Sequence, residues 1–159
     1  MSYLIRPLRP DESKAYRAIR LEALKAYPES FGSKYEEQVV LDQLYFEKRI
    51  IEADERAILF GVFDADQLVG ICGLIQPPNR ASGIIIQMYV QPAHQGNQLG
   101  QQLLQRIQEH AKVQLKLDSL ALEVGRTNTA AIKTYQQFGF QDEQPKNPYG
   151  STISMILAF

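Results

Sequence analysis

The chain has 159 residues, of which 45% are hydrophobic, and its 17 Lys and Arg against 18 Asp and Glu give a formal net charge of −1. This length and composition predict a single domain, residues 1–159, with one sizeable core. The balanced charge argues against bulk binding to nucleic acid or anionic membranes. The chain also lacks a signal-like N-terminus and any apolar segment near the roughly 20 residues that span a bilayer, so we expect a soluble cytoplasmic protein.

The first third of the chain predicts one strand followed by two helices. A short apolar run closed by prolines, residues 3–8, suits an edge strand. Asp11 can cap the first helix, which should end near Pro28, and residues 28–39 should form a loop. The face of this first helix that should pack inward carries Tyr16, Ile19, Ala23, Leu24 and Tyr27. A second helix over residues 41–52 should turn inward Leu41, Leu44, Tyr45, Lys48 and Ile51.

The rest of the chain predicts a sheet with further helices. Three apolar runs rich in β-branched residues, AILFGVF, QLVGICGLI and GIIIQMYV, are typical of central strands. Because their apolar residues do not alternate with polar ones, helices should cover both faces of the sheet. Then follow a helix over about residues 96–115, a strand at 119–124, a helix at 128–138, and two closing strands near 140–143 and 151–157.

A glycine-containing loop joins the fourth strand to the third helix in the segment MYVQPAHQGNQLGQQLL. The first turn of a helix has unpaired N–H groups and partial positive charge, and glycines let a phosphate approach the backbone. The loop therefore predicts an anion site, although Gly96 and Gly100 would also suit a turn and a close packing contact. The order of the glycines differs from the dinucleotide fingerprint, and the Gly-Lys-Ser/Thr of a Walker loop is absent.

Two segments resemble motifs of the GNAT superfamily of acyl-CoA-dependent N-acetyltransferases. QMYVQPAHQGNQLGQQLL is similar to its pyrophosphate motif, Q/R-x-x-G-x-G/A, through Gln95, Gly96 and Gly100, with Gln98 in place of the middle glycine. TNTAAIKTYQQFGF, about one strand downstream, is similar to N-x-x-A-x-x-x-Y-x-x-x-G-F. The resemblance covers nearly the whole chain. It implies an α/β (α+β) fold with a mixed seven-stranded sheet, in the order strand, two helices, three strands, helix, strand, helix and two strands.

The resemblance also implies an acetyl-CoA site between the fourth and fifth strands, which separate in this family. Pantetheine would pair with the fourth strand at Met88, Tyr89 and Val90. The loop residues that would bind the cofactor are Gln95, Gly96, Asn97, Gln98, Leu99, Gly100 and Gln101. The Met88 N–H would donate to the thioester carbonyl as negative charge develops there.

Asn128 and Tyr135 of the second motif are the remaining cofactor-binding candidates. By resemblance, Asn128 positions the pantetheine arm, and it can also cap the helix that follows it. Tyr135 would lie beside the CoA sulfur as general acid, because a departing thiolate needs a proton that a phenol can deliver. From the residues alone, Tyr135 would be only an aromatic on a buried helical stripe.

The general base is not given by the family pattern. Many relatives carry a carboxylate about six residues before the end of the fourth strand, where this chain has Ile84. Glu123 inside LALEVG is the first candidate, since a charge within a strand has a partner, a function or a solvated face. Glu29, Glu36, Glu37 and Gln87 are further candidates, and water relayed through backbone carbonyls is another alternative. No metal site is expected, because His94 and His110 lack ligand-spaced partners.

The expected acceptor is a primary amine on a small molecule. Candidate residues for its pocket are Phe31, Tyr35, Glu36, Gln87 and Tyr149, of which Glu36 would attract a cationic amine. Acetylation of a peptide or protein amine is an alternative, and so is a non-catalytic acyl-CoA-binding module. The final strand, STISMILAF, suits pairing across a homodimer or a place inside one subunit.

Overall fold

The computed structural model describes residues 2–143 and 150–159. Its strands are β1 (Tyr3–Pro7), β2 (Ala57–Asp64), β3 (Gln67–Ile75), β4 (Ser82–Val90), β5 (Ser119–Gly125), β6 (Gln141–Asp142) and β7 (Thr152–Ala158). Its α-helices are α1 (Ser13–Ala26), α2 (Tyr35–Gln38), α3 (Tyr45–Ile51), α4 (Leu99–Val113) and α5 (Thr129–Phe138). One-turn 3₁₀ helices lie at Pro10–Glu12 and Pro92–His94.

The seven strands form one mixed sheet in the order β1-β2-β3-β4-β5-β7-β6. Only β4 and β5 pair in parallel among the described strands, and every other neighbouring pair is antiparallel. This arrangement confirms the predicted fold class. The final strand β7 lies inside the sheet, between β5 and β6.

Two apolar clusters lie on opposite faces of the sheet. Leu59 and Ile71 pack in the cluster that contains buried residues of α1 and α3. Phe60 and Cys72, the next residues along β2 and β3, pack in the cluster that contains buried residues of α4 and α5. Because successive residues of a strand point to opposite faces, one continuous apolar run supplies both clusters. Helices on both faces are therefore confirmed.

The inward stripe predicted for the second helix is wrong except at Leu44, which is buried. The chain becomes helical only at Tyr45, and the residues buried on α3 are Phe46, Glu47 and Ile50, whereas Leu41, Tyr45 and Ile51 are exposed. Phe46 fills the core, and Glu47 accepts hydrogen bonds from the Leu44 amide (2.8 Å) and from Arg17 (2.7 Å). These two bonds make the burial of a carboxylate tolerable.

The start of α1 and the loop after it also differ from expectation. Glu12, not Asp11, is the residue before the first turn of α1, because Pro10–Glu12 forms its own 3₁₀ turn. The Glu12 carboxylate accepts from the Arg9 amide (2.7 Å) and from both terminal nitrogens of Arg6 (2.8 Å each). The predicted loop over residues 28–39 contains the one-turn helix α2. No helix among the described residues has the length and apolar character needed to cross a membrane.

Candidate active site

The strands β4 and β5 separate in the middle of the sheet. They pair only from Ser82 to Ile84, against residues 119–121 of β5. Beyond Ile84, the edge of β4 that faces β5 pairs with none of the described strands, whereas β3 continues to pair with β4 as far as Val90. An unpaired strand edge presents backbone donors and acceptors to whatever lies next to it. An extended ligand can therefore pair with this edge of β4.

A β-bulge interrupts β4 beside this open edge. Gln87 has a φ of 60°, and the β3–β4 register shifts between Ile71 and Gly73, opposite Gln87 and Met88. Ile85 packs on the α4 and α5 face before the bulge, whereas Tyr89 packs on the α1 and α3 face after it. The extra residue therefore reverses which positions face each side. Positive φ in a non-glycine residue costs about 1–3 kcal/mol and is concentrated at functional sites.

The glycine loop presents unpaired amides at the start of α4. Gly96 and Gln98 both have positive φ, 86° and 58°. The Gln95 amide donates to the Pro92 carbonyl at 3.3 Å, whereas the amides from Gly96 to Gln101 donate to no described residue. Unpaired amides at the first turn of a 15-residue helix form an anion site. Within residues 2–143 and 150–159, no group of three His, Cys, Asp or Glu side chains is placed to hold a metal ion.

A cavity of about 620 Å³ connects the open edge of β4 with this loop. Residues 85–90 of β4 form one wall, and the glycine loop closes one end. Glu123 and Val124 of β5 and the first turns of α5 form the opposite side. One ligand can therefore reach both the strand edge and the loop amides.

Tyr135 lies on the wall of this cavity and is 8% exposed. Its ring packs edge-on against Phe140, with 5.8 Å between ring centroids. Burial raises the pKa of the Tyr135 phenol above its usual value, and nearby Cys72 raises it further. The hydroxyl makes no hydrogen bond with a described residue. A protonated phenol is therefore present beside the cavity at neutral pH.

A second cavity of about 490 Å³ adjoins the first. Phe31, Gln87 and Glu123 line both cavities, which places their junction at the β4 bulge. The charged side chains that line the second cavity are Arg20, Glu123 and Glu143. Glu123 is exposed and projects from β5, so it has a solvated carboxylate at the junction.

A family model described as the acetyltransferase (GNAT) family matches residues 16–140. The matched range contains the β4 bulge, the glycine loop and Tyr135. The chain belongs to the GNAT family.

Two relatives resemble this GNAT protein in sequence. An IAA acetyltransferase from Azospirillum brasilense is 38% identical over 80 residues, which cover 50% of this chain and 52% of that protein. A spermidine N(1)-acetyltransferase from Vibrio cholerae serotype O1 is 31% identical over 114 residues, which cover 71% of this chain and 64% of that protein. The chain thus matches between about half and two thirds of the length of these relatives.

The fold of this GNAT protein is shared by solved structures at lower identity. The PaiA N-acetyltransferase from Thermoplasma acidophilum, solved in complex with coenzyme A, matches with a TM-score of 0.83 and 20% identity over 100% of both chains.

The structure brings nearly all the predicted cofactor-binding residues of this GNAT protein to the first cavity. Those that line it are Met88, Tyr89, Val90, Gln95, Gly96, Gln98, Leu99, Gly100, Gln101, Asn128 and Tyr135. Asn97 is the exception, because its side-chain amide donates to the His94 carbonyl (2.8 Å) and the Tyr3 hydroxyl (3.3 Å) and so holds the loop together. The Asn128 side chain accepts from the Ala131 amide at 3.3 Å, so its predicted helix cap is confirmed.

The predicted acceptor residues divide into three groups. Phe31 and Gln87 line both cavities, and Gln87 accepts a 2.7 Å hydrogen bond from the Tyr16 hydroxyl. Tyr35 and Glu36 lie on α2 and line neither cavity, and the Tyr35 ring instead faces the Lys25 ammonium at 5.6 Å. Tyr149 lies outside the described residues.

Sequence reasoning missed Arg20 and Glu143, which both line the second cavity. The signal for Arg20 was present in the sequence, because it lies four residues after Tyr16 and therefore on the same inward stripe of α1. A charge on an apolar stripe indicates either a buried pair or a site. No such signal marks Glu143, which is brought to the cavity by the pairing of β6 and β7.

Proposed function

We propose that this GNAT protein transfers an acetyl group from acetyl-CoA to a primary amine of a small molecule by direct attack of the amine on the thioester. The observation that carries the proposal is one cavity that joins the unpaired edge of β4, the unpaired amides of residues 96–101 and the buried phenol of Tyr135. The named relatives, an IAA acetyltransferase and a spermidine N(1)-acetyltransferase, favour a small-molecule acceptor.

The residues present fit coenzyme A. A diphosphate needs several N–H donors, and the amides from Gly96 to Gln101 have no other partner among the described residues. A Cβ at Gly100 would meet the Thr134 methyl at 3.2 Å, so glycine lets α4 and α5 lie close together beside the cavity. The pantetheine arm, which carries amide groups, suits an open strand edge that offers backbone hydrogen bonds.

When bound, acetyl-CoA supplies the carbonyl carbon that the amine attacks and the thiolate that leaves. Met88 lies in the bulge, and its amide N–H would donate to the carbonyl oxygen as negative charge develops there. The raised pKa of Tyr135 keeps its phenol protonated at neutral pH, so it can give a proton to the departing sulfur. The tyrosinate then recovers a proton from solvent or from the amine.

An amine must be neutral to attack, and free amines are mostly protonated at neutral pH. Glu123 lies where the two cavities meet and is the carboxylate that lines both, so it is the candidate to accept that proton. Its exposure allows the proton to pass on to water. Ile84, at the position of the usual family carboxylate, lines the second cavity and has no group that can act as a base.

The test measures acetyl-CoA consumption against a panel of amines, with Tyr135→Phe as the diagnostic variant. Removal of the phenol should lower kcat by about 100-fold, the scale of a lost general acid, while the CoA dissociation constant from calorimetry stays within about threefold. Tyr45→Phe, an exposed residue of α3, is the matched control and should keep full activity.

Each failure identifies a different alternative. Unchanged turnover in Tyr135→Phe would remove this residue from the mechanism. CoA binding with no turnover of any amine would indicate the non-catalytic binding module, and turnover only of peptide amines would indicate a protein acceptor. Absence of CoA binding would refute the whole proposal.

A further inference from the structure

Arg20 is a buried cation with no hydrogen-bond or ion-pair partner among the described residues. It lies on α1 and is 5% exposed, and its Nη1 is fully buried with no hydrogen bond. No other N–H of its guanidinium donates to a described residue either. Arg17, on the same helix, donates to Glu47 at 2.7 Å and to the Val39 and Leu41 carbonyls at 3.0 and 2.8 Å. Arg17 therefore has hydrogen-bond partners, whereas Arg20 on the same helix has none among the described residues.

Packing alone gives the N–H groups of Arg20 no hydrogen-bond acceptor. The Phe31 ring lies 4.8 Å from the centre of the guanidinium and supplies a cation–π contact. That contact uses a face of the planar group, whereas its five N–H donors project in the plane. Burial lowers the pKa of Arg20, but an arginine remains protonated at neutral pH. An unpaired buried charge destabilises a fold, so its presence calls for a partner that the chain itself does not provide.

Arg20 lines the second cavity, which under the proposed function would bind the acceptor and is called the acceptor cavity below. Arg20 does not line the first cavity, so it lies on the side of the β4 bulge where the acceptor would bind. Glu123 and Glu143 also line the second cavity, and both are exposed at its solvent side. The cavity thus holds a buried positive group and exposed negative groups. This pattern matches a ligand with an anionic end and a cationic end.

We propose that Arg20 binds a carboxylate of the acceptor, so that the preferred substrates are amino acids or other amines that carry a carboxylate. This inference rests on the proposed acetyltransferase function and specifies its substrate class. A carboxylate accepts two parallel hydrogen bonds from the planar fork of arginine. The ammonium end of the same molecule would then lie toward Glu123 and the junction of the two cavities. A diamine or polyamine with no anionic group would place a second positive charge near Arg20 and bind less well.

The experiment compares amines that differ only in the carboxylate. The pairs are glycine and methylamine, β-alanine and ethylamine, 4-aminobutyrate and propylamine, phenylalanine and 2-phenylethylamine, ornithine and putrescine, and lysine and cadaverine. For each compound, kcat/KM is measured by acetyl-CoA consumption, and binding is measured by calorimetry with and without saturating CoA. We expect the carboxylated member of at least one pair to be preferred by about 100-fold, the scale of a charge-assisted bidentate pair.

Two variants of Arg20 and one control attribute this preference to the guanidinium. Arg20→Met keeps the approximate length of the side chain. It should reduce the preference for the carboxylated amine to less than about threefold, mainly by lowering kcat/KM for that amine. Arg20→Lys keeps the charge but not the fork and should retain only part of the preference. Lys25→Met removes a charge from the same helix at an exposed position that lines neither cavity, and it should leave the preference unchanged.

Stability separates recognition from a structural role. Since the charge of Arg20 has no described partner, Arg20→Met should melt at the same temperature as the wild type or higher when no acceptor is present. A large loss of stability in both Arg20 variants would show that Arg20 supports the fold, and would overturn the inference.

Failure of this inference differs from failure of the proposed function. If CoA binds and simple amines are acetylated, but no pair shows a preference that depends on Arg20, the carboxylate assignment is wrong and the transferase stands. If CoA does not bind, the function is wrong, and calorimetry without CoA still tests Arg20. Equal affinity for both members of every pair in that titration overturns the carboxylate assignment as well.

Discussion

The two cavities that meet at Gln87 offer different kinds of groups to a ligand. The cavity along the open edge of β4 is lined by backbone amides and uncharged side chains, with Glu123 as the charged member among its described residues. The charged residues that line the second, acceptor cavity are Arg20, Glu123 and Glu143. Backbone groups are present in every sequence that adopts this fold, so the first cavity suits the cofactor of the proposed function. Charged side chains are specific to a sequence, so under the same proposal the second cavity would set the choice of acceptor.

The largest effect should come from adding a negative charge at the glycine loop of the first cavity. Gly100→Asp places a carboxylate in the first turn of α4, where the diphosphate would bind, and should raise the CoA dissociation constant by about 100-fold through like-charge repulsion. An aspartate in the first turn of a helix does not destabilise it, so the variant should fold. Calorimetry with CoA measures the change.

Gly100→Asn is the matched control for that charge. It has the same shape and the same contact with Thr134, so it should raise the dissociation constant by less than about tenfold. Added salt should narrow the difference between the two variants. Equal losses in both would mean that space, not charge, excludes the diphosphate.

Substitutions of Glu123 and Glu143 compare a carboxylate at the junction of the two cavities with a carboxylate elsewhere in the acceptor cavity. Glu123→Gln should lower kcat/KM by about 30-fold, because the carboxylate that lines both cavities is the candidate base. Glu143→Gln removes the same charge from a residue that lines only the second cavity, and the loss should stay below about threefold. Steady-state kinetics with an amine from the panel measures both, and equal losses would indicate general attraction of the amine and not proton transfer.

The smallest expected effect concerns the pH profile of kcat, in which ionisation of the buried Tyr135 phenol should not be visible. The raised pKa of Tyr135 means that its acid form is lost only as the pH rises through that raised value. The rate kcat should therefore rise as the amine loses its proton and show no falling limb below about pH 10. A profile of kcat from about pH 6 to 10 checks this. A falling limb in that range, absent in Tyr135→Phe, would show that the phenol is not shielded by burial.

The structural features that were predicted correctly are those encoded by local patterns. The strands β2 to β4 follow from continuous apolar runs, and α4 follows from the repeat of Leu99, Leu103 and Ile107, which are all buried. Gly96 and Gly100 mark the loop because glycine allows conformations and contacts that other residues resist. Asn128 was recognisable as a helix cap from its type and position.

The errors arose where the outcome depended on contacts between distant segments. The stripe predicted for α3 assumed that the helix began at Leu41, but the pairing of Glu47 with Arg17 and the burial of Phe46 determine its inward face. The positions of Tyr35 and Glu36 also depend on the tertiary structure, because α2 carries them away from both cavities. Their role in acceptor binding stays a prediction.

The sequence by itself determined the order of the seven strands and the four longer helices, the glycine loop before α4 and the family, because each depends on residues close together in the chain. Only the tertiary structure decided that β4 and β5 separate after Ile84, that the bulge at Gln87 joins two cavities, and that Arg20 finds no hydrogen-bond partner in the described part of the chain. These features depend on which groups meet across the sheet. The burial and pairing of a charge are properties of all the segments around it, and no short stretch of sequence contains them.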